Sequence, residues 1–188
     1  METCCYNMKY DLAECFIKNA QNCGLHASIQ MNLFAYACGK LETPQAEADG
    51  AMYCCTESDI PEAAQLIDRF RKEAGESRLE QTALLEKARQ FIVNNAFFFW
   101  KNTENKTVAC CAYKIDSKLA CISSVYTKPE YRRKYYAQNL VHQVTRFLID
   151  KGLEPMLYTD ADYAASNACY EKLGYQLKGK LCTVVCSK

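Results

Sequence analysis

The run Ser124-Val125-Tyr126-Thr127-Lys128-Pro129-Glu130-Tyr131-Arg132-Arg133-Lys134-Tyr135-Tyr136-Ala137 carries a strand through a short basic loop into a long helix. A unit of that kind must lay its helix back on a sheet, which restricts the chain to a layered α/β or α+β architecture. The helix is expected from about Arg133 to Lys151, because Ala137, Leu140, Val141, Val144 and Leu148 recur at helical spacing and Gly152 supplies a stop. The junction is also a chemical feature. A helix N-terminus has free backbone N–H groups and a partial positive charge, and Arg132, Arg133 and Lys134 add full charges beside them, an arrangement suited to phosphate.

Strands and helices alternate around this unit. Ala51 to Cys55 reads as a short strand, followed by a helix with Ser58 as N-cap, Pro61 in its first turn, and Ile60, Ala64, Ile67 and Phe70 on one face. Leu84, Leu85, Ala88, Phe91 and Ile92 repeat the pattern on a second helix ending near Asn94-Asn95. Phe97 to Lys101, Thr107 to Ile115 and Leu119 to Tyr126 then read as an antiparallel meander, with turns at Asn102 to Lys106 and at Asp116-Ser117-Lys118. Downstream of the long helix come a strand at Glu154 to Thr159, a helix at Ala164 to Leu173 and a strand from Tyr175 to Cys186. At the other end, residues 1 to about 45 read as a helical extension. Leu12, Cys15, Phe16 and Asn19 lie on one helix face there, and a second helical stretch runs from about Ile29 to Ala37. Lys40 to Gly50, with Thr43-Pro44 and three acidic residues, reads as a linker, which divides the chain into an extension at 1–45 and a layered domain at 50–188.

Charge and cysteine content narrow the function. Twenty-three basic against 22 acidic residues leave a net charge of +1, so the overall field calls for neither nucleic acid nor an anionic membrane. The longest apolar runs fall far short of the roughly 20 residues that span a bilayer, and Met1 to Lys18 lacks the apolar core of a secretory signal. The expected location is the cytoplasm. Thirteen cysteines include the adjacent pairs Cys4-Cys5, Cys54-Cys55 and Cys110-Cys111 but no Cys-x-x-Cys, and His26 and His142 stand apart from them. This spacing favours buried free thiols over a disulfide framework or a metal centre.

Val125 to Val141 resembles the first signature motif of the GNAT superfamily of acetyl-CoA-dependent N-acetyltransferases, and Leu157 to Asp160 with Ala165 to Tyr175 is similar to the second. The two come in the family's order, within elements that follow the family's sequence from Ala51 onward. The resemblance implies an α+β fold, a mixed central sheet flanked by helices. It implies acetyl-CoA as acyl donor, no metal, and a small-molecule or protein amine as acceptor, and it leaves room for a homodimer. The pyrophosphate would be held by Arg132, Arg133, Lys134, Tyr135, Tyr136 and Ala137, and the rest of the donor by Val125, Tyr126, Thr127, Asn167 and Tyr170. In one respect the chain departs from the family, since Tyr135 stands where the family has its first loop glycine, whereas Ala137 fits the second.

Such a site positions an amine for direct attack on the thioester, donates a backbone N–H from Val125 to Thr127 to the developing oxyanion, and protonates the leaving thiolate through Tyr170. No carboxylate lies on Leu119 to Tyr126, so Asp160, Asp162 or a water chain is left as base. Asp116 reads as a hairpin residue and His142 as a surface one. The acceptor pocket would be lined by the first two helices of this domain and the loop Glu73 to Arg78, whose acids would attract a cationic amine. A second reading is a catalytically weak or inactive acyl-CoA-binding module with a regulatory or interaction role.

Overall fold

The computed structural model describes residues 3–187. Its elements are β1 (Thr3–Met8), α1 (Tyr10–Asn22), β2 (His26–Cys38), β3 (Ala51–Cys54), α2 (Ile60–Glu73), α3 (Gln81–Val93), β4 (Phe97–Lys101), β5 (Thr107–Asp116), β6 (Leu119–Thr127), α4 (Tyr136–Asp150), β7 (Glu154–Asp160), α5 (Ala164–Lys172) and β8 (Tyr175–Ser187). The strands form one eight-stranded sheet in the order β1-β8-β2-β7-β6-β5-β4-β3. Only β6 and β7 run parallel; every other pair is antiparallel. This is the mixed, helix-flanked sheet expected from the sequence.

The centre of the sheet follows from the two most apolar runs. Phe97 to Trp100 on β4 and Thr107 to Tyr113 on β5 are buried at every position, whichever face the side chain takes. A strand buried on both faces needs a helix layer on each, and α3 and α4 both pack on β4 and β5. Trp100, Tyr36, Phe97 and Phe99 are the largest fully buried side chains of this core, joined by Leu66 and Ile67 of α2 and Leu140 and Leu148 of α4. The cap of α2 differs from expectation. Ser58 lies inside a 3-10 turn, Glu57–Asp59, and the capping box is made by Thr56 and Asp59, with the Thr56 N–H donating to Asp59 Oδ2 at 2.7 Å. The long helix begins at Tyr136, three residues later than the sequence pattern placed it, because Arg133 and Tyr135 both take positive φ.

The N-terminal segment is corrected more substantially. It begins with a strand, and its second half, expected to be helical, is the 13-residue strand β2, which lies between β7 and β8. The bonded registers of β2 shift between Ile29 and Met31 and between Ala35 and Tyr36. The first leaves Gln30 unpaired on β2 and the second leaves Lys178 unpaired on β8, while β2 keeps a regular register with β7 from Leu33 to Ala37. Leu33 and Tyr36, three apart, are nevertheless the two buried residues of the strand, and that spacing imitates a helix period. In α1 the inward face is Ala13, Phe16 and Ala20, while Leu12, Cys15 and Asn19 are exposed. The two alanines leave no bulk between helix and sheet, and Ala13 packs on Cys182 and Val184 of β8. Residues 1 and 2 of the segment read as helical lie outside the described residues, as does Lys188.

The segment from Lys40 to Gly50 is irregular, as a linker should be, but it is bound along its length. The Gln45 N–H donates to Gln138 Oε1 at 3.0 Å, Asn139 Nδ2 donates to the Ala46 carbonyl at 2.9 Å, and the Tyr136 hydroxyl donates to Asp49 Oδ1. Trp100 Nε1 adds a bond to the Asp49 carbonyl at 2.7 Å. Glycines permit the close approach at both ends. A Cβ on Gly174 would lie 1.8 Å from the Lys40 carbonyl oxygen, and one on Gly50, at φ +90°, would lie 2.0 Å from that of Lys101. Among the described residues no helix is long and apolar enough to cross a membrane.

If β2 is integral to the sheet, Tyr36→Ala removes a ring that is 1% exposed and a hydroxyl bonded to Glu171 Oε1 at 2.8 Å. Urea denaturation should show a loss of about 3–5 kcal/mol. A loss under about 1 kcal/mol, the size of an ordinary surface change, would show that the strand contributes little to the fold.

Candidate active site where two strands part

β6 and β7 are bonded only from Leu119 to Ile122 and from Glu154 to Leu157. Beyond that each strand follows its other neighbour. Tyr126 and Thr127 stay with Cys110 and Ala109 of β5, and Tyr158 to Asp160 pair with Leu33 to Ala35 of β2. A wedge opens between them. Its β6 side carries a bulge, since Cys110 pairs with Tyr126 and Ala112 with Ser123, leaving Ser124 and Val125 opposite Cys111 alone. Ser124 sits at φ 52°, and its carbonyl accepts the Cys110 thiol at 3.4 Å. A bulge bends a strand and redirects its backbone, so Val125 to Thr127 leave the ladder with β7 at this point.

The basic loop follows directly. After a 3-10 turn, Pro129–Tyr131, it reaches Arg133 and Tyr135, both at φ 63°. Tyr135 thus holds the left-handed conformation that glycine adopts freely, and its side chain is 45% exposed. No side chain caps α4, and its first backbone bond runs from the Asn139 N–H to the Tyr135 carbonyl, so the N–H groups of the first turn lack helical acceptors. Arg133 and Lys134 are exposed beside them. Arg132 is engaged elsewhere. Its Nη2 donates to Glu73 Oε2 at 2.6 Å and Oε1 at 2.7 Å, its Nε donates to the Thr127 carbonyl at 3.1 Å, and its guanidinium lies 5.7 Å from the Tyr126 ring. The Tyr136 side chain is buried against the linker, where desolvation, then the bond to Asp49, pushes its hydroxyl up to about 12. Ala137 is partly buried on the same turn.

The other side of the wedge is built by α5. Asn167 Nδ2 donates to the carbonyls of Asp160 and Ala161 at 3.1 and 3.2 Å, tying the helix to the end of β7. Its Oδ1 is buried without a partner, as is Thr127 Oγ1 at the end of β6. A buried acceptor left unpaired costs about 1–3 kcal/mol, and here two such oxygens flank one opening. Tyr170, one turn on from Asn167, is 7% exposed, and its hydroxyl is held well above the usual phenol range by burial, against the lowering effect of the Ser166 hydroxyl. Asp160 Oδ1 accepts the Asp162 N–H at 2.9 Å, which gives it a turn-forming role, and Asp162 is exposed. Asp116 closes the β5–β6 hairpin opposite Leu119. His142, read as a surface residue, is partly buried with Nε2 shielded and unpartnered; burial, then the Arg146 charge, lowers its pKa.

On the α2–α3 side of β6 lies a cavity of about 210 Å³, bounded by Phe70, Glu76, Lys87, Lys114, Ser123 and Ser124. Of the acids in the Glu73 to Arg78 loop, Glu76 reaches it and is salt-bridged to Arg71, whereas Glu73 is turned to Arg132.

The sequence model of the acetyltransferase (GNAT) family matches residues 62–175, from the first turn of α2 to the start of β8. The chain belongs to this family. No curated protein matches it in sequence. Among solved structures it is similar to a GCN5-related N-acetyltransferase from Sphaerobacter thermophilus, with a TM-score of 0.74 and 13% identity over 97% of this chain and 59% of that one. A Drosophila protein gives a TM-score of 0.77 and 14% identity over 100% of this chain and 61% of that one. The chain thus spans about three fifths of the length of either. A predicted acetyltransferase from Clostridium acetobutylicum, solved with acetyl-CoA, gives 0.57 and 15% over 68% of this chain and 90% of that one. At such identities the likeness concerns the fold alone.

In this GNAT chain the sequence reading singled out the loop, Asn167 and Tyr170, but not Lys87, Lys114 and Ser123, which line the cavity beside the bulge. The lysines come from a helix and a strand that are distant in sequence, and neither stands in a recognisable motif. The bulge did leave one signal, in that Ser123-Ser124 interrupts an otherwise apolar strand.

The left-handed backbone at residue 135 has a direct consequence. Tyr135→Gly should raise stability by about 1 kcal/mol, and Tyr135→Val should lower it by a similar amount, because only glycine adopts that conformation without Cβ strain. Thermal unfolding of the two variants checks the order; a less stable glycine variant would mean that the tyrosine ring makes contacts outweighing the strain.

Proposed function

We propose that this protein transfers an acetyl group from acetyl-CoA to a primary amine by direct attack. The observation that carries the reading is the parting of β6 and β7 flanked by Thr127 Oγ1 and Asn167 Oδ1, both buried and unpartnered. Polar atoms so placed suit a ligand with polar groups along its length, and the uncapped first turn of α4 beside Arg133 and Lys134 suits its phosphates. Acetyl-CoA supplies a thioester whose carbonyl carbon is the electrophile. The chain's residues divide the remaining work. Arg133, Lys134 and the N–H groups of Tyr135, Tyr136 and Ala137 hold the pyrophosphate, while Arg132 braces the loop through Glu73. The backbone of Val125 to Thr127 offers an N–H group to the charge that grows on the carbonyl oxygen. Tyr170, whose burial keeps its proton in place at neutral pH, protonates the departing sulfur. Glu76, the carboxylate that reaches the cavity beside the bulge, takes the amine's proton through water.

The second reading, an acyl-CoA-binding module of weak or no activity, draws support from the absence of a carboxylate on β6 and from the occupation of Arg132 by Glu73. Tyr170→Phe separates the two. Under the transferase reading kcat falls by about 10²-fold, while the acetyl-CoA Kd measured by calorimetry stays unchanged. An unaltered kcat would remove Tyr170 from the chemistry, and acetyl-CoA binding without turnover on any amine would favour the module.

A further inference from the structure

The 210 Å³ cavity beside the bulge adjoins a larger one of about 410 Å³, and the two share Lys87, Phe91 and Lys114 in their walls. Together they make a trough that starts at Ser123 and Ser124 and runs under α3 along β5 to Ile115. The phosphate loop lies at the opposite end of β5, where the Lys128 N–H donates to the Val108 carbonyl at 3.0 Å. At about 3.3 Å per residue, Lys114 is roughly 20 Å along the strand from that end, out of reach of the phosphates. These lysines therefore serve another group.

Their surroundings define it. Neither Lys87 nor Lys114 forms a salt bridge among the described residues. The nearby acids are paired with arginines rather than with these lysines, Glu76 with Arg71 and Glu73 with Arg132. Lys114 Nζ lies 5.6 Å over the Phe91 ring, and Lys87 is half-buried. Burial, then the Arg71 charge, lowers the Lys87 pKa, with Lys114 acting in the same direction and the Glu76 carboxylate opposing them. The trough thus has one carboxylate near the bulge, aromatic walls at Phe70 and Phe91, and two cations without a salt-bridge partner among the described residues, Lys87 half-buried and Lys114 exposed.

We propose that the acceptor is an amine that also bears a carboxylate, an amino acid or close relative, bound with its carboxylate at Lys87 and Lys114 and its amine toward Ser124. This rests on the acetyltransferase reading above. The distribution of charge matches a zwitterion and disfavours a purely cationic amine, which would face two like charges. In the reaction the amine nitrogen forms the new C–N bond as the thioester C–S bond breaks. The amine's proton leaves through water toward Glu76, the thiolate takes one from Tyr170, and the carboxylate is unchanged. An apolar side chain on the acceptor would lie between Phe70 and Phe91.

The test compares phenylalanine with phenylalaninamide as acceptors in the presence of acetyl-CoA. The amide's amine is the less basic, so at neutral pH intrinsic reactivity favours the amide, and only a carboxylate site reverses that order. The expected kcat/KM is at least about 10-fold higher for the acid. Lys87→Gln and Lys114→Gln should each erase most of that preference with acetyl-CoA affinity unchanged, and Lys87→Arg should retain it. Equal rates, or a faster amide, overturn the proposal while leaving the transferase reading intact. A second arm needs no turnover: saturation-transfer NMR should show N-acetylphenylalanine binding, lost in Lys87→Gln, and no binding of its amide. If no amine is acetylated, the transferase reading fails, and this arm still decides whether the lysines hold a carboxylate. Binding of neither compound counts against it.

Discussion

The rest of the structure depends on the short run of hydrogen bonds between β6 and β7. Four residues on each strand pair, and then the ladder stops, because each strand is committed to an antiparallel neighbour on its other side. The bulge at Ser124 and Val125 makes the divergence abrupt. Every feature of the candidate site is placed by this wedge. The first turn of α4 stands above its β6 side, α5 is tied to its β7 side through Asn167, and the trough opens beside the bulge. A parallel pair bonded along its full length would satisfy its own backbone groups and leave none for a ligand.

Keeping the wedge open requires support from outside. β7 is held away from β6 by β2, a strand from the N-terminal segment that pairs with β7 on one side and β8 on the other. The chain must then cross from β2 to β3, at the far edge of the sheet, and it does so over the first turn of α4. Gln138, Asn139 and Tyr136 bind this crossing segment, so the turn that presents its N–H groups is fixed from behind by the residues that precede the matched family region. The cost of this path falls on Gly174 and Gly50, where a carbonyl occupies the space of a Cβ.

Charge is similarly divided. The acids around the cleft are paired with arginines, Glu73 with Arg132 and Glu76 with Arg71, which leaves the loop cations Arg133 and Lys134 and the trough cations Lys87 and Lys114 at separate ends. Of the cysteines expected to be buried, Cys55, Cys110, Cys111 and Cys182 are so, whereas Cys4, Cys5, Cys15, Cys23 and Cys54 are exposed. All are free thiols, and burial pushes Cys110, hydrogen-bonded to the bulge carbonyl, up to about 12, far from the thiolate that a nucleophile requires.

From Ala51 onward the sequence by itself determined the elements, the basic loop and the positions of Asn167 and Tyr170. These depend on hydrophobic period and turn chemistry, which act between residues close along the chain. The family resemblance showed a tyrosine standing in a glycine's place at residue 135, and the structure added its left-handed conformation. The tertiary structure alone decided three things. It made a strand of His26–Cys38, whose two buried residues, Leu33 and Tyr36, are spaced as on a helix face and which is stable only between two partner strands. It took Arg132 out of the phosphate loop's free charge by setting Glu73 against it. And it brought Lys87 and Lys114 together across a helix and a strand. In the last two cases the cause is the same: the energy of a charge depends on which distant charges and surfaces surround it in space, and local sequence does not contain that information.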